Sequence, residues 1–298
     1  MNAFLFPGQG SQHVGMLSAL ATRSEETRQL LETANATLGY DLAKLCFEGP
    51  EDELTDTRRA QPALLTAGVA YARAAAAQGV QPAMLAGHSL GEYAALVVAG
   101  VLGFEDALRL VQRRADLMAA APAGAMAAIV GLKDAEVEQF VADARSFGTL
   151  VAANYNAPGQ VVISGEVSAV QAAMREAKSG GAKLTVKLPV SGAFHSPLME
   201  DAAAQMAELI EEADFQNAEW PVYQNVTAAP ATNASEIKTA LKAQMTSPVR
   251  WVETMQNMIG AGATHFYELG PGKVLSGLLK RIDKSVLAEN GDAVVGVL

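Results

Sequence analysis

The sequence predicts an α/β protein in which a small domain is inserted into a larger one. Helical patterns with a period of about 3.6 residues alternate with short apolar runs along most of the chain. Residues 124–190 depart from this alternation and follow an order of elements of their own. The chain has 298 residues, 50% of them hydrophobic, which is enough to bury a large core around a central sheet.

The first element is an apolar run that Pro7 and Gly8 end, and it is predicted as a strand. This N-terminus has no cationic segment and no long apolar one, so we expect a cytoplasmic protein without a signal peptide. Residues 84–104 are long enough and nearly uncharged enough to span a bilayer, but they contain His88, Glu92 and four glycines. A buried strand, turn and helix explain them better, so we expect no membrane partner.

The serine of the pentapeptide Gly-His-Ser-Leu-Gly, residues 87–91, follows one of the apolar runs and precedes an alanine-rich helical pattern. This is the G-x-S-x-G nucleophile elbow of α/β-hydrolase-like folds, in which glycines allow a sharp strand-to-helix turn that exposes the hydroxyl. The predicted strand is 82–86 and the predicted helix is 92–99. A glycine-rich turn with an incidental serine is the alternative. Further helices of the larger domain are predicted at 24–38, 62–77, 104–120, 199–213 and 235–244.

The departure from alternation predicts an inserted domain at residues 124–192, with the larger domain formed by 1–123 and 193–298. Its order is β-α-β-β-α-β, the ferredoxin-like arrangement. The predicted elements are a strand at 125–130, a helix at 134–147, strands at 150–153 and 160–164 joined by a loop at 154–159, a helix at 168–178 and a strand at 183–188. Since clefts between a large and a small domain favour ligands, the insert should wall one side of a pocket above Ser89.

Composition excludes several classes of function. The net charge of −10, without a dense cluster of Lys and Arg, argues against nucleic acid and favours a small-molecule or protein partner. The single cysteine, Cys46, cannot form an internal disulfide and is interpreted as a small apolar residue. No Cys/His cluster suggests a metal, and we expect no metal and no cofactor.

A serine nucleophile needs a general base, and the chain has four histidines. His195 is favoured because it lies in a turn-rich loop where the chain returns from the insert. His88 adjoins the serine and is interpreted as a packed or hydrogen-bonded elbow residue, His265 as part of a strand and His13 as part of a polar turn. An α/β-hydrolase would place its histidine near the C-terminus after a separate acid, and no aspartate here fits that role.

The helix predicted at 104–120 has one unusual residue on its apolar side. Leu110, Arg114 and Met118 share a face, whereas the polar stripe consists of Arg109, Gln112, Arg113 and Asp116. An inward arginine needs an anion, which is either the carboxylate of a substrate or an internal Asp or Glu.

Six short motifs follow one another along the chain, at residues 6–12, 61–64, 87–92, 156–160, 193–196 and 268–272. Taken in order, they resemble those of the bacterial malonyl-CoA:acyl carrier protein transacylases of fatty acid synthesis. The resemblance covers nearly the whole chain. It implies a Ser-His dyad of Ser89 and His195 that forms an acyl-serine intermediate, with His195 oriented by the main-chain carbonyl of Gln244.

The resemblance also implies how the acyl group is held. The matching oxyanion-hole amides are those of Gln9 and Leu90, and the matching arginine for the malonyl carboxylate is Arg114. Phe194 matches an aromatic residue that limits space beside the α-carbon of the acyl group. Positions near the acyl or pantetheine path match Gln61 and Asn156.

The expected reaction moves malonyl from malonyl-CoA to the phosphopantetheine thiol of holo acyl carrier protein, and we expect a monomer. The densest cationic residues for docking an acidic carrier protein are Lys273, Lys280, Arg281 and Lys284, and a solvated helix face is the alternative. The adjacent Gly270-Pro271-Gly272 lacks phosphate-loop spacing and is predicted as a turn. The alternative functions are a malonyl transferase of a polyketide synthase or malonate decarboxylase system, a serine thioesterase or hydrolase, and a non-enzymatic scaffold.

Overall fold

The computed structural model describes residues 1–190 and 192–296. Ser191, where the chain was predicted to leave the insert, and residues 297–298 of the predicted larger domain lie outside the described residues. The strands are β1 (Asn2–Phe6), β2 (Met84–Gly87), β3 (Ala125–Val130), β4 (Leu150–Ala157), β5 (Gln160–Gly165), β6 (Leu184–Lys187), β7 (Val222–Tyr223), β8 (Pro230–Ala231), β9 (His265–Glu268) and β10 (Leu287–Asn290).

The helices surround these strands, and in the described residues none is long and apolar enough to cross a membrane. They are α1 (Ser18–Arg23), α2 (Glu25–Leu38), α3 (Leu42–Glu48), α4 (Glu51–Thr55), α5 (Thr57–Ala77), α6 (Gly91–Val98), α7 (Phe104–Ala120), α8 (Asp134–Ala144), α9 (Val167–Ser179), α10 (Glu200–Glu212), α11 (Ala234–Ala243), α12 (Trp251–Gly260), α13 (Val274–Ile282) and α14 (Gly291–Val294).

The larger sheet has the order β10-β9-β1-β2-β7-β8, and all its neighbouring pairs are parallel except β7 and β8. The central strands are apolar on both faces because helices cover both sides: every residue of β2 and all but the first of β1 are buried. The predicted α/β fold with a parallel-sheet core is therefore confirmed. The carboxyl ends of β1 and β2 lie side by side, which brings the loop after Phe6 to the elbow after Gly87.

A second, antiparallel sheet has the order β4-β5-β3-β6 and a separate hydrophobic core beneath α8 and α9. Strand β4 joins this sheet to the larger body. The amide of Val249 donates to the carbonyl of Ala153 at 2.9 Å, and the amide of Tyr155 donates to the carbonyl of Val249 at 3.0 Å. Main-chain bonds thus fix the small sheet beside the segment that precedes α12.

Three predicted boundaries differ from the structure by three residues or more. The loop predicted at 154–159 is mostly strand: β4 continues to Ala157 because this segment pairs with β5 as far as Gln160, with two shifts in register, which leaves a tight turn at Pro158 and Gly159. The other edge of β4 bonds to Val249. The helix predicted to start at residue 62 starts at Thr57, since the Asp56 side chain caps it by accepting from the amide of Arg58. The helix predicted at 134–147 ends as an α-helix at Ala144 and finishes in a 3₁₀ turn.

Candidate active site

Ser89 stands on a strand-turn-helix between β2 and α6, as the elbow motif requires. Its φ of +52° lies in the left-handed region, which a non-glycine residue seldom adopts. A Cβ on Gly87 would lie 1.9 Å from the main-chain carbon of Gly91, and one on Gly91 would lie 2.0 Å from the carbonyl oxygen of Phe6. Both glycines are therefore required by the close approach of main chains around the serine.

His195 faces the serine from the loop that precedes α10. Its Nε2 lies 2.8 Å from Ser89 Oγ, while its Nδ1 lies 2.9 Å from the carbonyl oxygen of Gln244 and 3.1 Å from that of Ser247. Because carbonyls only accept hydrogen bonds, Nδ1 carries the proton and Nε2 presents its lone pair to the hydroxyl. The structure thus brings Ser89, His195 and the Gln244 carbonyl together.

The charge state of His195 is set by its surroundings. Burial lowers its pKa to about 3, and the nearby positive charge of Arg114 lowers it in the same direction. A histidine with so low a pKa is neutral at physiological pH. It is therefore in the form that a general base needs.

Arg114 projects from α7 into the same site and is 1% exposed. Its Nη1 donates to Gln61 Oε1 at 2.6 Å, and its Nη2 donates to Gln244 Oε1 at 3.0 Å and to Ser89 Oγ at 3.1 Å. In the described part of the chain no carboxylate forms a salt bridge with this guanidinium, and its Nε has no hydrogen-bond partner. The inward face predicted for Arg114 is confirmed, and it bonds to neutral groups.

Gln9 and Leu90 line the same cleft as Ser89. Among residues 1–190 and 192–296, neither main-chain amide donates to a described acceptor. Gly8 allows the Gln9 loop to approach, since a Cβ there would lie 2.6 Å from the carbonyl oxygen of His88. The Gln9 side chain is tied back to Thr57 by a bond of 3.1 Å.

A buried polar network behind the serine escaped the sequence analysis. Asn225 Oδ1 accepts from the amide of Ser89 at 2.7 Å, and its Nδ2 donates to the carbonyl of Gly87 at 2.6 Å. Glu92 Oε2 accepts from Gln244 Nε2 at 2.9 Å and from the amide of Asn225 at 3.1 Å. The only signal in the sequence was that Glu92 is a lone acid in a nearly uncharged run.

The cleft in front of Ser89 has a volume of about 420 Å³. Residues of the small sheet, including Met126 and Val162, form one wall, which confirms that the segment predicted as an insert walls the pocket. Phe194 and Gln61 also line it. Asn156 lines it too, with its Oδ1 2.7 Å from His88 Nε2.

Comparison with known proteins identifies the family. A family described as "Acyl transferase domain" matches residues 3–298. The malonyl CoA-acyl carrier protein transacylase of Bacillus subtilis (strain 168) is 46% identical over 286 residues, which cover 95% of this chain and 90% of that protein. The chain belongs to the malonyl CoA-acyl carrier protein transacylase family. It is therefore an acyltransferase.

Solved structures of this transacylase family share the fold. An acyl carrier protein S-malonyltransferase from Vibrio cholerae O1 is 45% identical with a TM-score of 0.94, and the match covers 97% of this chain and 96% of that one. A malonyl-transacylase solved in complex with its type II PKS acyl-carrier protein is 41% identical with a TM-score of 0.96, covering 99% and 97%.

The other singled-out residues of this acyltransferase are mostly structural. His88 hydrogen-bonds to Asn156 and packs on Trp251. His265 lies in β9 near Glu289, and His13 is exposed. Cys46 is buried, and burial raises the pKa of its thiol to about 12.

The predicted turn after β9 is confirmed. Its following helix, α13, donates its Leu275 and Ser276 amides to the buried carboxylate of Glu268, so the chain's own anion occupies that helix N-terminus.

The predicted docking residues lie on or beside α13, a helix that lines the cleft with Val274, Leu275 and Leu278. Lys273, Lys280 and Lys284 are exposed. Arg281 is exposed as well, but its guanidinium donates to Gln160 Oε1 and to the carbonyl of Pro158. Arg281 therefore joins α13 to the small sheet. The three exposed lysines are the better candidates for contacts with a carrier protein.

Proposed function

We propose that this acyltransferase moves the malonyl group from malonyl-CoA to the phosphopantetheine thiol of an acyl carrier protein. The observation that carries the proposal is the position of Arg114. Its guanidinium lies 3.1 Å from the serine hydroxyl and is paired with neutral oxygens. A malonyl carboxylate can bind there while its thioester carbonyl meets Ser89, which selects an acyl group with a terminal anion.

The first half-reaction forms a malonyl-serine ester. His195 Nε2 takes the proton of Ser89 as Oγ attacks the thioester carbonyl carbon. The developing oxyanion accepts hydrogen bonds from the Gln9 and Leu90 amides, each of which contributes about 10²–10³ in rate. The carbon–sulfur bond then breaks, and the imidazolium gives its proton to the sulfur of coenzyme A.

The second half-reaction uses the same groups in reverse. The thiol of the carrier protein gives its proton to His195 as its sulfur attacks the malonyl-serine carbonyl. The ester bond to Ser89 breaks, and the imidazolium returns the proton to Oγ. The carbonyls of Gln244 and Ser247 hold the imidazole in one tautomer throughout, which is the task of the aspartate in a Ser-His-Asp triad.

The finer features of substrate binding and assembly are part of the proposal. Phe194 restricts space beside the α-carbon, and Gln61 and Asn156 border the acyl and pantetheine path. Lys273, Lys280, Arg281 and Lys284 dock the acidic carrier protein. The absence of a metal or cofactor requirement, the monomeric state and the cytoplasmic location stay predictions.

The proposed domain division has a large α/β-hydrolase-like domain of residues 1–123 and 193–298 and a ferredoxin-like insert of residues 124–192. Its supports are the β-α-β-β-α-β order between β3 and β6 and a core separate from that of the larger sheet. An antiparallel bridge between Ala123 and Gly192 further supports entry and exit at neighbouring points.

The carrier protein can belong to fatty acid or to polyketide synthesis. The relative from Bacillus subtilis bears the general transacylase name, whereas the solved complex holds a type II PKS acyl-carrier protein. Both use the same thiol chemistry. Competition between purified fatty-acid and polyketide carrier proteins from the same organism would identify the acceptor by the ratio of kcat/KM values.

Incubation with malonyl-CoA, with and without holo carrier protein, tests the proposal. We expect malonyl carrier protein to form, little release of free malonate, and no transfer by Ser89→Ala. Release of malonate at the same rate with and without carrier protein would instead make the protein a thioesterase.

A further inference from the structure

Glu92, on the first turn of α6, lies behind the nucleophile and contacts two residues that hold it. A single carboxylate oxygen, Oε2, accepts from the Asn225 amide at 3.1 Å and from Gln244 Nε2 at 2.9 Å. Glu92 is fully buried. Buried carboxylates are rare unless they satisfy polar groups that would otherwise be orphaned, so its partners indicate what it does.

Those two partners hold both main-chain groups of Ser89. Asn225 Oδ1 accepts from the Ser89 amide, and Gln244 Nε2 donates to the Ser89 carbonyl at 3.0 Å. Ser89 needs this support because its φ of +52° is strained for a residue with a side chain. The amide of Leu90, a proposed oxyanion donor, comes directly after Ser89, so its direction depends on the main-chain conformation of Ser89.

Gln244 also bonds to the other two functional side chains of the site, His195 and Arg114. Its main-chain carbonyl accepts from His195 Nδ1, and its side-chain oxygen accepts from Arg114 Nη2. Displacement of this one side chain would therefore move the nucleophile and the arginine together. Glu92 is the acceptor that fixes the amide nitrogen of Gln244 and so its orientation.

We propose that Glu92 is a positioning residue whose carboxylate oxygen orders Asn225 and Gln244, and through them Ser89 and Arg114, for acyl transfer. It touches no reacting atom. The proposal rests on the proposed function for the role of Arg114, but its effect on Ser89 holds for any electrophile.

The geometry assigns this role to an oxygen acceptor in that position, and not to a negative charge. Both hydrogen bonds end on Oε2, so a glutamine amide oxygen in its place can accept both. Burial raises the pKa of Glu92 to about 7, against the opposing effects of Gln244, Asn225 and the Arg114 charge. Tyr93, the next residue, and His195 are the other titratable groups that interact with Arg114 in the described part of the site.

The test compares Glu92→Gln with Glu92→Met, which has similar volume and no strong acceptor. The readout is phosphonylation of Ser89 by an uncharged alkyl fluorophosphonate, which needs the nucleophile but neither a carboxylate nor a carrier protein. Titration of reactive sites gives the active fraction separately from the rate constant. We expect Glu92→Gln to stay within about fivefold of the unmodified protein, and Glu92→Met to lose about 100-fold in rate constant per active site.

Two results would overturn the proposal. One is a Glu92→Met protein with a lower active fraction but an unchanged rate constant, which is the behaviour of a merely structural residue. The other is an equal loss in both variants, which would assign the effect to charge. If the protein fails to transfer malonyl while these phosphonylation results hold, the proposed function fails and the positioning role stands.

A second variant keeps the proposal falsifiable if Glu92→Met does not fold. Gln244→Met retains the main-chain carbonyl that His195 needs but removes the link from Glu92 to Ser89 that runs through Gln244, while the link through Asn225 remains. We expect phosphonylation to slow by about tenfold or more. An unchanged rate constant would show that the link does not position the serine.

Discussion

Ser89 Oγ and His195 Nε2 lie 2.8 Å apart although 106 residues separate them along the chain. The small sheet is formed by the residues between them, so the same segment that walls the cleft also returns the chain at the histidine. His195 itself has a φ of +57°, so both members of the pair sit on strained turns. The hydrogen bonds that Asn225 and Gln244 make to these two residues therefore help to hold the strained turns in place.

Replacing Arg114 by methionine should abolish the preference for malonyl. Loss of a charge-assisted, bidentate contact should lower kcat/KM for malonyl-CoA by about 10²-fold and raise relative activity toward acetyl-CoA. Arg113→Met is the matched control, since Arg113 is on the same helix but solvent-exposed. Its ion pair with Asp116 is long, at 3.9 Å. Steady-state kinetics with both thioesters measure the change. An unaltered acyl preference in Arg114→Met would make the arginine structural.

The rate of Ser89 acylation should depend weakly on pH in the usual histidine range. A base works when unprotonated, and the pKa of His195 is lowered to about 3, so activity should stay level as the pH falls through about 6.5. In Arg114→Met the loss of a positive charge should raise the pKa of His195, so the acylation rate should begin to fall at a higher pH than in the unmodified protein.

Fluorophosphonate kinetics against pH would measure this without titrating a substrate. Glu92 has a pKa raised to about 7, so the profile is repeated in Glu92→Gln. A half-maximal rate near pH 6.5 that persists in that variant would mean that His195 titrates normally.

Gly8→Ala should damage the oxyanion hole without touching the Ser-His pair. The new Cβ would lie 2.6 Å from the carbonyl oxygen of His88 and would push the Gln9 amide away from the elbow. We expect acylation to slow by about 10²-fold or more, as for loss of one oxyanion donor. Gly260→Ala, where a Cβ meets nothing within 4 Å, controls for the substitution itself. Equal acylation rates in the two variants would remove Gln9 from the hole.

Lys280→Glu should weaken carrier-protein docking alone. Lys280 is exposed in the last turn of α13, and an acidic partner would meet repulsion from a glutamate there. We expect KM for holo carrier protein to rise by about tenfold, while transfer from malonyl-CoA to a small thiol is retained. Lys178→Glu, an exposed lysine in the last turn of α9, is the control. If both acceptors were affected alike, α13 would not be the docking surface.

The sequence predicted most of what local pattern and motif encode. Helix α7 has the predicted bounds, because its apolar face repeats at helical spacing, and the same pattern placed Arg114 inward. The extension of β4 to Ala157 could not be read from its residues, because its pairing with β5 is irregular, with two shifts in register, and its other edge bonds to Val249, almost a hundred residues away.

The network behind the serine was beyond prediction for the same reason. Asn225 follows a two-residue strand without any motif, and its partners Ser89 and Glu92 are 136 and 133 residues away. The resemblance to a family supplied the Gln244 carbonyl, but the role of the Gln244 side chain becomes visible only when Arg114, Glu92 and Ser89 are seen around it.

The central claim is that Ser89 carries the malonyl group between two thiols. Protein mixed with malonyl-CoA in the absence of carrier protein, then digested and mapped by mass spectrometry, tests it most directly. The account predicts a malonyl adduct on Ser89 alone, absent from Ser89→Ala, that disappears when holo carrier protein is added and reappears as malonyl carrier protein. An adduct on another residue, or transfer that continues in Ser89→Ala, would contradict it.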